Sequence, residues 1–346
     1  MKKLPEVNES FEELYKMLIG PIKSKLMLTG IELKVFNHLS EPRSAKGVAE
    51  AIGTHPENTR LFLDGLAACD LLEKKDGLYH NTPVTQAFLV EGSPTYLGQF
   101  FIISNQWLDS MLDDLPRRVK EGSPPESKDM SSGGEISDEM QAQVSAAFAN
   151  AERGGSAQQA AEIVSALQEF SSMRKMLDLG GGPGLNGIAI VAAHPTMKGV
   201  IFDRPPLDKA AEDFIKEYEM EDRVEFMSGS YMTDSIGEGY DLIWASGTLS
   251  YAKFQIDSVM KKIFDAINPG GVFICIDYGL THERTKPEIH LLSWLGTMLS
   301  SQGMMAEMFD QGEIADSMLR VGFKSVRSRT LDTDWGPMDF DIGRKA

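Results

Sequence analysis

At Lys175-Met176-Leu177-Asp178-Leu179-Gly180-Gly181-Gly182-Pro183-Gly184 a short apolar run carries an acid and then four glycines in five positions. Residues 176–179 read as a buried strand, and the glycines let the backbone turn sharply and approach a ligand because no Cβ intervenes. Residues 185–193 are apolar and helix-forming. The loop therefore opens a helix, giving the strand–glycine loop–helix unit of a nucleotide-binding α/β fold.

Two ligand chemistries fit that unit. Gly182-Pro183-Gly184-Leu185-Asn186-Gly187 satisfies the dinucleotide pattern G-x-G-x-x-G, with Asp203 about twenty residues on to take ribose hydroxyls. Asp178 argues the other way, because a carboxylate at the strand tip repels a pyrophosphate, which wants backbone N–H groups and a helix N-terminus. S-adenosylmethionine has no phosphate, and an acid favours its sulfonium and ammonium. The sign of the charge selects the methyl donor. A second strand, from Lys198, ends in Phe202-Asp203-Arg204-Pro205-Pro206 and sets Asp203 to accept both ribose hydroxyls or to cap a helix over 207–218.

These groups sit in a chain of 346 residues, long enough for two domains. A net charge of −17 argues against a phosphate-backbone partner, which needs clustered Lys and Arg. The two cysteines, Cys69 and Cys275, imply no disulfide framework and fit a reducing cytoplasm. The N-terminus has no apolar signal-peptide core, no run of eighteen apolar residues offers a membrane span, and no His/Cys/Asp cluster has metal-ligand spacing.

Residues 1–105 read as a winged-helix-like domain. Leu26, Thr29, Gly30, Leu33, Val35 and Phe36 form an apolar face, 44–52 a second helix, and Pro56 with Asn58 opens a third that buries Leu61, Phe62, Leu66 and Leu71. Residues 72–80 form a hairpin about Asp76-Gly77. Glu57, Arg60 and Asp64 stand where a DNA-recognition helix would be basic, so the domain reads as a dimerisation module that also walls a substrate pocket. Residues 106–170 form a helical connection with a Ser/Pro/Gly-rich loop at 121–139. Residues 171–346 carry strands at 175–179, 199–202, 224–227, 240–245, 272–276, 325–330 and 338–343, alternating with helices until a closing pair. That order predicts a doubly wound, Rossmann-like sheet with an antiparallel edge.

With these pieces in order, the chain resembles the small-molecule O-methyltransferases of the plant caffeate and hydroxyindole type and their bacterial relatives. The resemblance spans nearly the whole chain and rests on the glycine loop, Phe202-Asp203-Arg204-Pro205, Tyr240-Asp241-Leu242-Ile243, Asn268-Pro269-Gly270-Gly271 and Val321-Gly322-Phe323. It implies a homodimer with a small-molecule acceptor, and a cofactor set of Asp178, Gly180, Gly182, Gly184, Asp203, Arg204, Gly229, Ser230, Tyr231 and Ser246. The family's adenine-binding acid is replaced by Ser230, which accepts one hydrogen bond while Tyr231 packs on the ring.

The family's general-base His falls on Ser250, which cannot take a phenol proton without a base of its own. The acids that orient that His have counterparts in Asp277 and Glu307. His290 and Trp294, four apart on a helix over 289–299 like the one lining the family's acceptor pocket, offer another base and a pocket wall. His282 is a further candidate base, and Tyr251, Met298, Met304, Met305 and Met308 are candidate pocket residues. In-line displacement at a sulfonium mainly needs alignment. The serine thus raises C-, S- or N-methylation and acidic phenols relative to ordinary O-methylation. The alternatives are a family member with this fold and cofactor but other chemistry, or a winged-helix ligand sensor.

Overall fold

The computed structural model describes residues 4, 6–112, 115–122, 147–205, 207–300 and 307–346. They divide into two compact units, Met1–Ile102 and Ile103–Ala346. Most of the 121–139 segment, together with Met304 and Met305, lies outside the described residues. The rest of the 106–170 connection is grouped with the second unit.

In the first unit a long helix, Glu12–Glu32, precedes the shorter helices Ala45–Ile52 and Pro56–Ala68. Ser44 Oγ accepts the Gly47 N–H to cap the second helix, and Pro56 occupies the first turn of the third, where its missing N–H has no intrahelical partner to lose. Strands β1 (Arg43–Ser44), β2 (Leu72–Lys75) and β3 (Leu78–Asn81) form a sheet in the order β1-β3-β2. Asp76 and Gly77 both take positive φ, as a tight two-residue hairpin turn requires. Val35, Phe36, Leu39, Val48, Leu63, Leu66 and Tyr79 fill the core.

Two expected core residues are exposed. Leu33 follows the last residue of the long helix, where Lys34 turns to φ 55° and breaks the helical stripe. Leu61 falls on the outer side of its helix. The charges of that helix are paired locally, Arg60 with Glu57 and Asp64, and Asp64 with Lys74 and the Tyr79 hydroxyl.

The second unit is built on a seven-stranded sheet. Its strands are β4 (Lys175–Leu179), β5 (Lys198–Asp203), β6 (Val224–Ser228), β7 (Tyr240–Ser246), β8 (Ile267–Asp277), β11 (Lys324–Thr333) and β12 (Gly336–Arg344), in the order β11-β12-β8-β7-β4-β5-β6. The short β9 (Gly279–Leu280) and β10 (Phe309–Asp310) pair separately. Strands β4 to β8 are parallel, and β12 runs antiparallel between β8 and β11.

A parallel sheet must be covered on both faces, and here it is. Leu177, Leu179 and Phe273 pack against the helices Ile256–Ala266 and Glu313–Val321. Met176, Leu242 and Ile274 pack against Ala157–Ser165, Leu185–Ala192 and Asp208–Glu217. The closing antiparallel pair is as expected, with longer strands than the apolar runs alone mark. Among the described residues, no helix is long and apolar enough to cross a membrane, and no cluster of His, Cys, Asp or Glu is arranged to hold a metal ion.

Candidate functional site

Strand β4 pairs with β5 on one side and β7 on the other, so the strand order reverses there. Ligands of open α/β sheets bind in the crevice outside the carboxyl ends of the strands at such a point. A cavity of about 400 Å³ lies there. Asp178, Gly180, Gly182, Asp203, Arg204, Ser230, Tyr231 and Ser246 of the expected cofactor set all line it.

Asp178 is almost fully buried and accepts the Gly187 N–H at 2.8 Å, anchoring the first turn of the helix that follows the loop. Burial pushes its carboxyl up to about 7, against the lowering effect of that N–H. Asp203 accepts the Gly182 N–H at 2.8 Å and the Arg204 N–H at 2.6 Å. It does not cap the next helix, whose N-cap is Leu207. Its carboxyl is also raised, by burial first, with the two backbone donors opposing.

Gly182 shows why the loop needs glycine. Its φ is +56°, and a Cβ there would face open space, with only Glu152 Oε1 within reach at 3.9 Å. Gly184 has a different reason. A Cβ there would stand 2.3 Å from the Ile201 side chain, so this glycine serves helix–strand packing and is not on the cavity wall. Gly229 is likewise off the wall: its N–H bonds the Asp203 carbonyl, and a Cβ would strike the Phe202 ring. Ser230 donates its backbone N–H to Asp234, and the Tyr231 hydroxyl donates to the Thr248 carbonyl at 2.6 Å.

Ser250 and Asp277 are both sealed from solvent and absent from the cavity wall. Asp277 accepts three bonds, from Ser250 Oγ at 2.7 Å, the Leu249 N–H at 2.8 Å and the Tyr278 N–H at 2.8 Å. Burial pushes its carboxyl up to about 6 and these donors hold it from rising further. Their neighbours do reach the cavity, among them the two phenols Tyr251 and Tyr278. Burial raises Tyr278 to about 12.

Trp294 and His290 stand behind the phenols. The Trp294 ring packs 5.2 Å from Tyr278 and 5.5 Å from Tyr251, and the His290 ring meets Tyr278 edge-on at 5.0 Å. His290 is fully buried, and desolvation lowers its pKa. Met298 joins a small cluster with Leu280, Trp294 and Met308, away from the cavity wall.

Glu307 is not brought to Ser250 or Asp277. Its carboxylate takes Arg284 at 3.0 Å instead. His282 is an exposed turn residue bonded to Thr281 Oγ1, far from acting as a base in the cavity.

Several wall residues come from segments that carry no motif. Phe148, Glu152, Ser156 and Gln159 enter from upstream of the glycine loop, Thr333 and Met338 from β11 and β12, and Trp335 from the turn between them. The i, i+4 spacing of Phe148, Glu152 and Ser156 was the available signal for a shared helix face. Nothing local said which face met the loop.

A family model described as the O-methyltransferase domain matches residues 134–323, and one for the O-methyltransferase dimerisation domain matches residues 15–91. The chain belongs to the O-methyltransferase family. It is 26% identical over 325 residues to the tetracenomycin polyketide synthesis 8-O-methyl transferase TcmO of Streptomyces glaucescens, covering 93% of each chain. It is also 26% identical to the N,N-dimethyltransferase OxyT of Streptomyces rimosus, covering 90% of this chain and 91% of that one. The fold matches the crystal structure of human N-acetylserotonin methyltransferase in complex with SAM at a TM-score of 0.79 and 20% identity, over 99% and 100% of the two chains.

This O-methyltransferase-family chain is thus a methyltransferase dependent on S-adenosylmethionine, acting on a small molecule, and its dimerisation domain supports a homodimer. The cavity fits the cofactor. Gly182 leaves open space where a side chain would stand, and carboxylates dominate the charged groups around it. A pyrophosphate would find that same wall repulsive.

Proposed function

We propose that this enzyme methylates a small aromatic acceptor that arrives as an anion or as a neutral amine, with no protein base at the family's His position. The observation that carries the reading is the commitment of Ser250 to Asp277 behind the cavity wall. A hydroxyl bonded to a buried carboxylate does not titrate near neutral pH and has no path to an acceptor proton.

Bound S-adenosylmethionine supplies an electrophilic methyl group. In the proposed arrangement Asp203 takes the ribose hydroxyls, and Ser230 and Tyr231 flank the adenine. Tyr251, Tyr278, Trp335 and Phe148 supply an apolar and aromatic wall for a flat acceptor. Trp294 and His290 act as positioning residues, because each packs on Tyr278 and fixes its ring. When both are bound, this wall would hold the acceptor against the methyl group that the cofactor supplies. Alignment of the two partners is the main contribution asked of the protein.

O-methylation of acidic phenols is the first reading. N-methylation is the second, favoured by the likeness to an N,N-dimethyltransferase. We also propose a cytoplasmic location, in keeping with the free thiols of Cys69 and Cys275.

The test is methyl transfer across a series of phenols and anilines of graded pKa. For phenols, the pH of half-maximal rate is expected to move with the acceptor's own pKa. A midpoint fixed across the series would mean that a protein base does the work.

A further inference from the structure

Glu152 belongs to no motif, yet it stands at the heart of the cavity. It lies on a π-helical turn, Glu152–Ser156, at a kink where Gly155 leaves helical geometry (φ 166°, ψ −38°). Such turns often mark functional positions, because the extra residue redirects side chains. The turn packs against the helix Leu185–Ala192, and Glu152 Oε2 accepts the Leu185 N–H at 2.9 Å, at the first residue of that helix. One carboxylate oxygen is thereby fixed. The other, Oε1, is turned to the glycine loop and is the nearest atom to the space above Gly182.

Three carboxylates then share one wall: Glu152, Asp178 and Asp203. Arg204 is the only Lys, Arg or His side chain among the described lining residues. Burial pushes all three carboxyls up, Glu152 well above the usual carboxylate range with the Asp178 charge adding to it, so their ionised forms call for cations from the ligand. S-adenosylmethionine brings two, the sulfonium and the α-ammonium of its methionine end. Asp203 lies at the tip of β5 beside Ser230 and Tyr231, on the nucleoside side. Asp178 has Oδ2 engaged with Gly187 under the loop. Glu152 comes from an element that does not contribute to the sheet.

We propose that Glu152 is the recognition group for the α-ammonium of the cofactor, held in place by the N–H of Leu185. The assignment rests on the cofactor reading above and adds one residue to it. A charge-assisted hydrogen bond of this kind corresponds to about tenfold to a hundredfold in affinity.

The test is a binding cycle on the full chain by calorimetry, with no turnover involved. S-adenosylhomocysteine and its analogue lacking the amino group are titrated into the wild type and into Glu152→Gln. Glutamine keeps a side-chain oxygen for Leu185 but loses the charge. The wild type is expected to prefer the amino compound by at least tenfold, and Glu152→Gln to lose most of that preference. 5′-Methylthioadenosine, which has no amino-acid end, is expected to bind both proteins within about threefold.

A preference that survives intact in Glu152→Gln would overturn the assignment. So would an equal loss for all three ligands. Failure of the wild type to bind any of the three would instead sink the cofactor reading. Should Glu152→Gln melt well below the wild type, Glu152→Asp carries the same comparison: the charge is kept but withdrawn from Gly182, so a partial loss confined to the amino compound is expected, and no loss overturns the assignment.

Discussion

Ser250 donates its hydroxyl proton to Asp277 across 2.7 Å, and neither residue reaches solvent or the cavity. The pair is a brace under the segment Leu249–Gln255, whose first backbone N–H the same carboxylate also holds. Ser250 is in this chain a support for the wall, one residue removed from Tyr251.

Ser250→Ala should therefore act on stability more than on chemistry. It removes one of three bonds to a buried carboxylate, a cost of about 1–3 kcal/mol. Turnover should fall less than about tenfold, far short of the 10²–10⁴ that loss of a general base brings. Thermal melts and single-turnover rates measured side by side check this. A collapse of turnover with cofactor binding intact would make Ser250 part of a relay.

The raised carboxyls fix a direction for stability against pH. Asp178 titrates near 7 and Asp277 near 6, both above an unfolded aspartate. Between the unfolded and folded values the native state binds more protons, so the stability these groups confer is full in acid and is lost as pH rises through 6 to 7. The ligand-free protein should melt higher at pH 5 than at pH 8, by roughly a few kcal/mol in unfolding free energy. Asp178→Asn should flatten the upper part of that profile. A melting temperature that rises steadily from pH 5 to 8 would contradict it.

Cofactor affinity should run the other way. Protonating Asp178, Asp203 or Glu152 removes the charge that meets a cationic ligand, so S-adenosylmethionine should bind more tightly as pH rises from 5 to 8. Binding near pH 7 should release protons. Calorimetry in buffers of different ionisation enthalpy counts them, and a count of zero would oppose the charge argument.

Within the loop, Asp203→Ala should weaken S-adenosylmethionine by about 2–4 kcal/mol through loss of charge-assisted bonds. Part of that loss would come through the freed Gly182 N–H. Gly182→Val should abolish binding, because it forces a β-branched residue to φ +56° and fills the open cradle. Retained micromolar binding in the valine variant would refute this use of the cavity.

Leu14, Met17 and Leu18 on the helix Glu12–Glu32 are each at least 70% exposed in the single chain. A helix this apolar on its outer side needs a covering partner. Light scattering should give a dimer at micromolar concentration, and Leu18→Glu should yield a monomer or an aggregate.

Local rules were enough for much of this molecule. The glycine loop, the acid at the tip of β5 and the alternation of apolar strands with amphipathic helices are written in short windows. Their meaning depends on backbone freedom, charge sign and period, all properties of neighbouring residues. Hence the doubly wound sheet and the placing of Asp178, Gly182 and Asp203 about the glycine loop were legible from the sequence alone, while the strand order and its switch point were not. Gly184 and Gly229 were not separable from them, since whether a glycine faces a ligand or a packed ring is set by what folds against it.

Tertiary structure decided which polar groups meet. Glu307 turned to Arg284, Ser250 turned inward to Asp277, and His290 was buried behind Tyr278, although each had a motif-based claim on the site. Glu152 had no such claim and arrived because a π-turn aimed it at the first turn of the next helix. Side-chain partners far apart in sequence depend on packing angles and on the cost of leaving a buried charge unpaired. Those costs are settled only when the layers close, which is why the acceptor side of this cavity could not be read in advance.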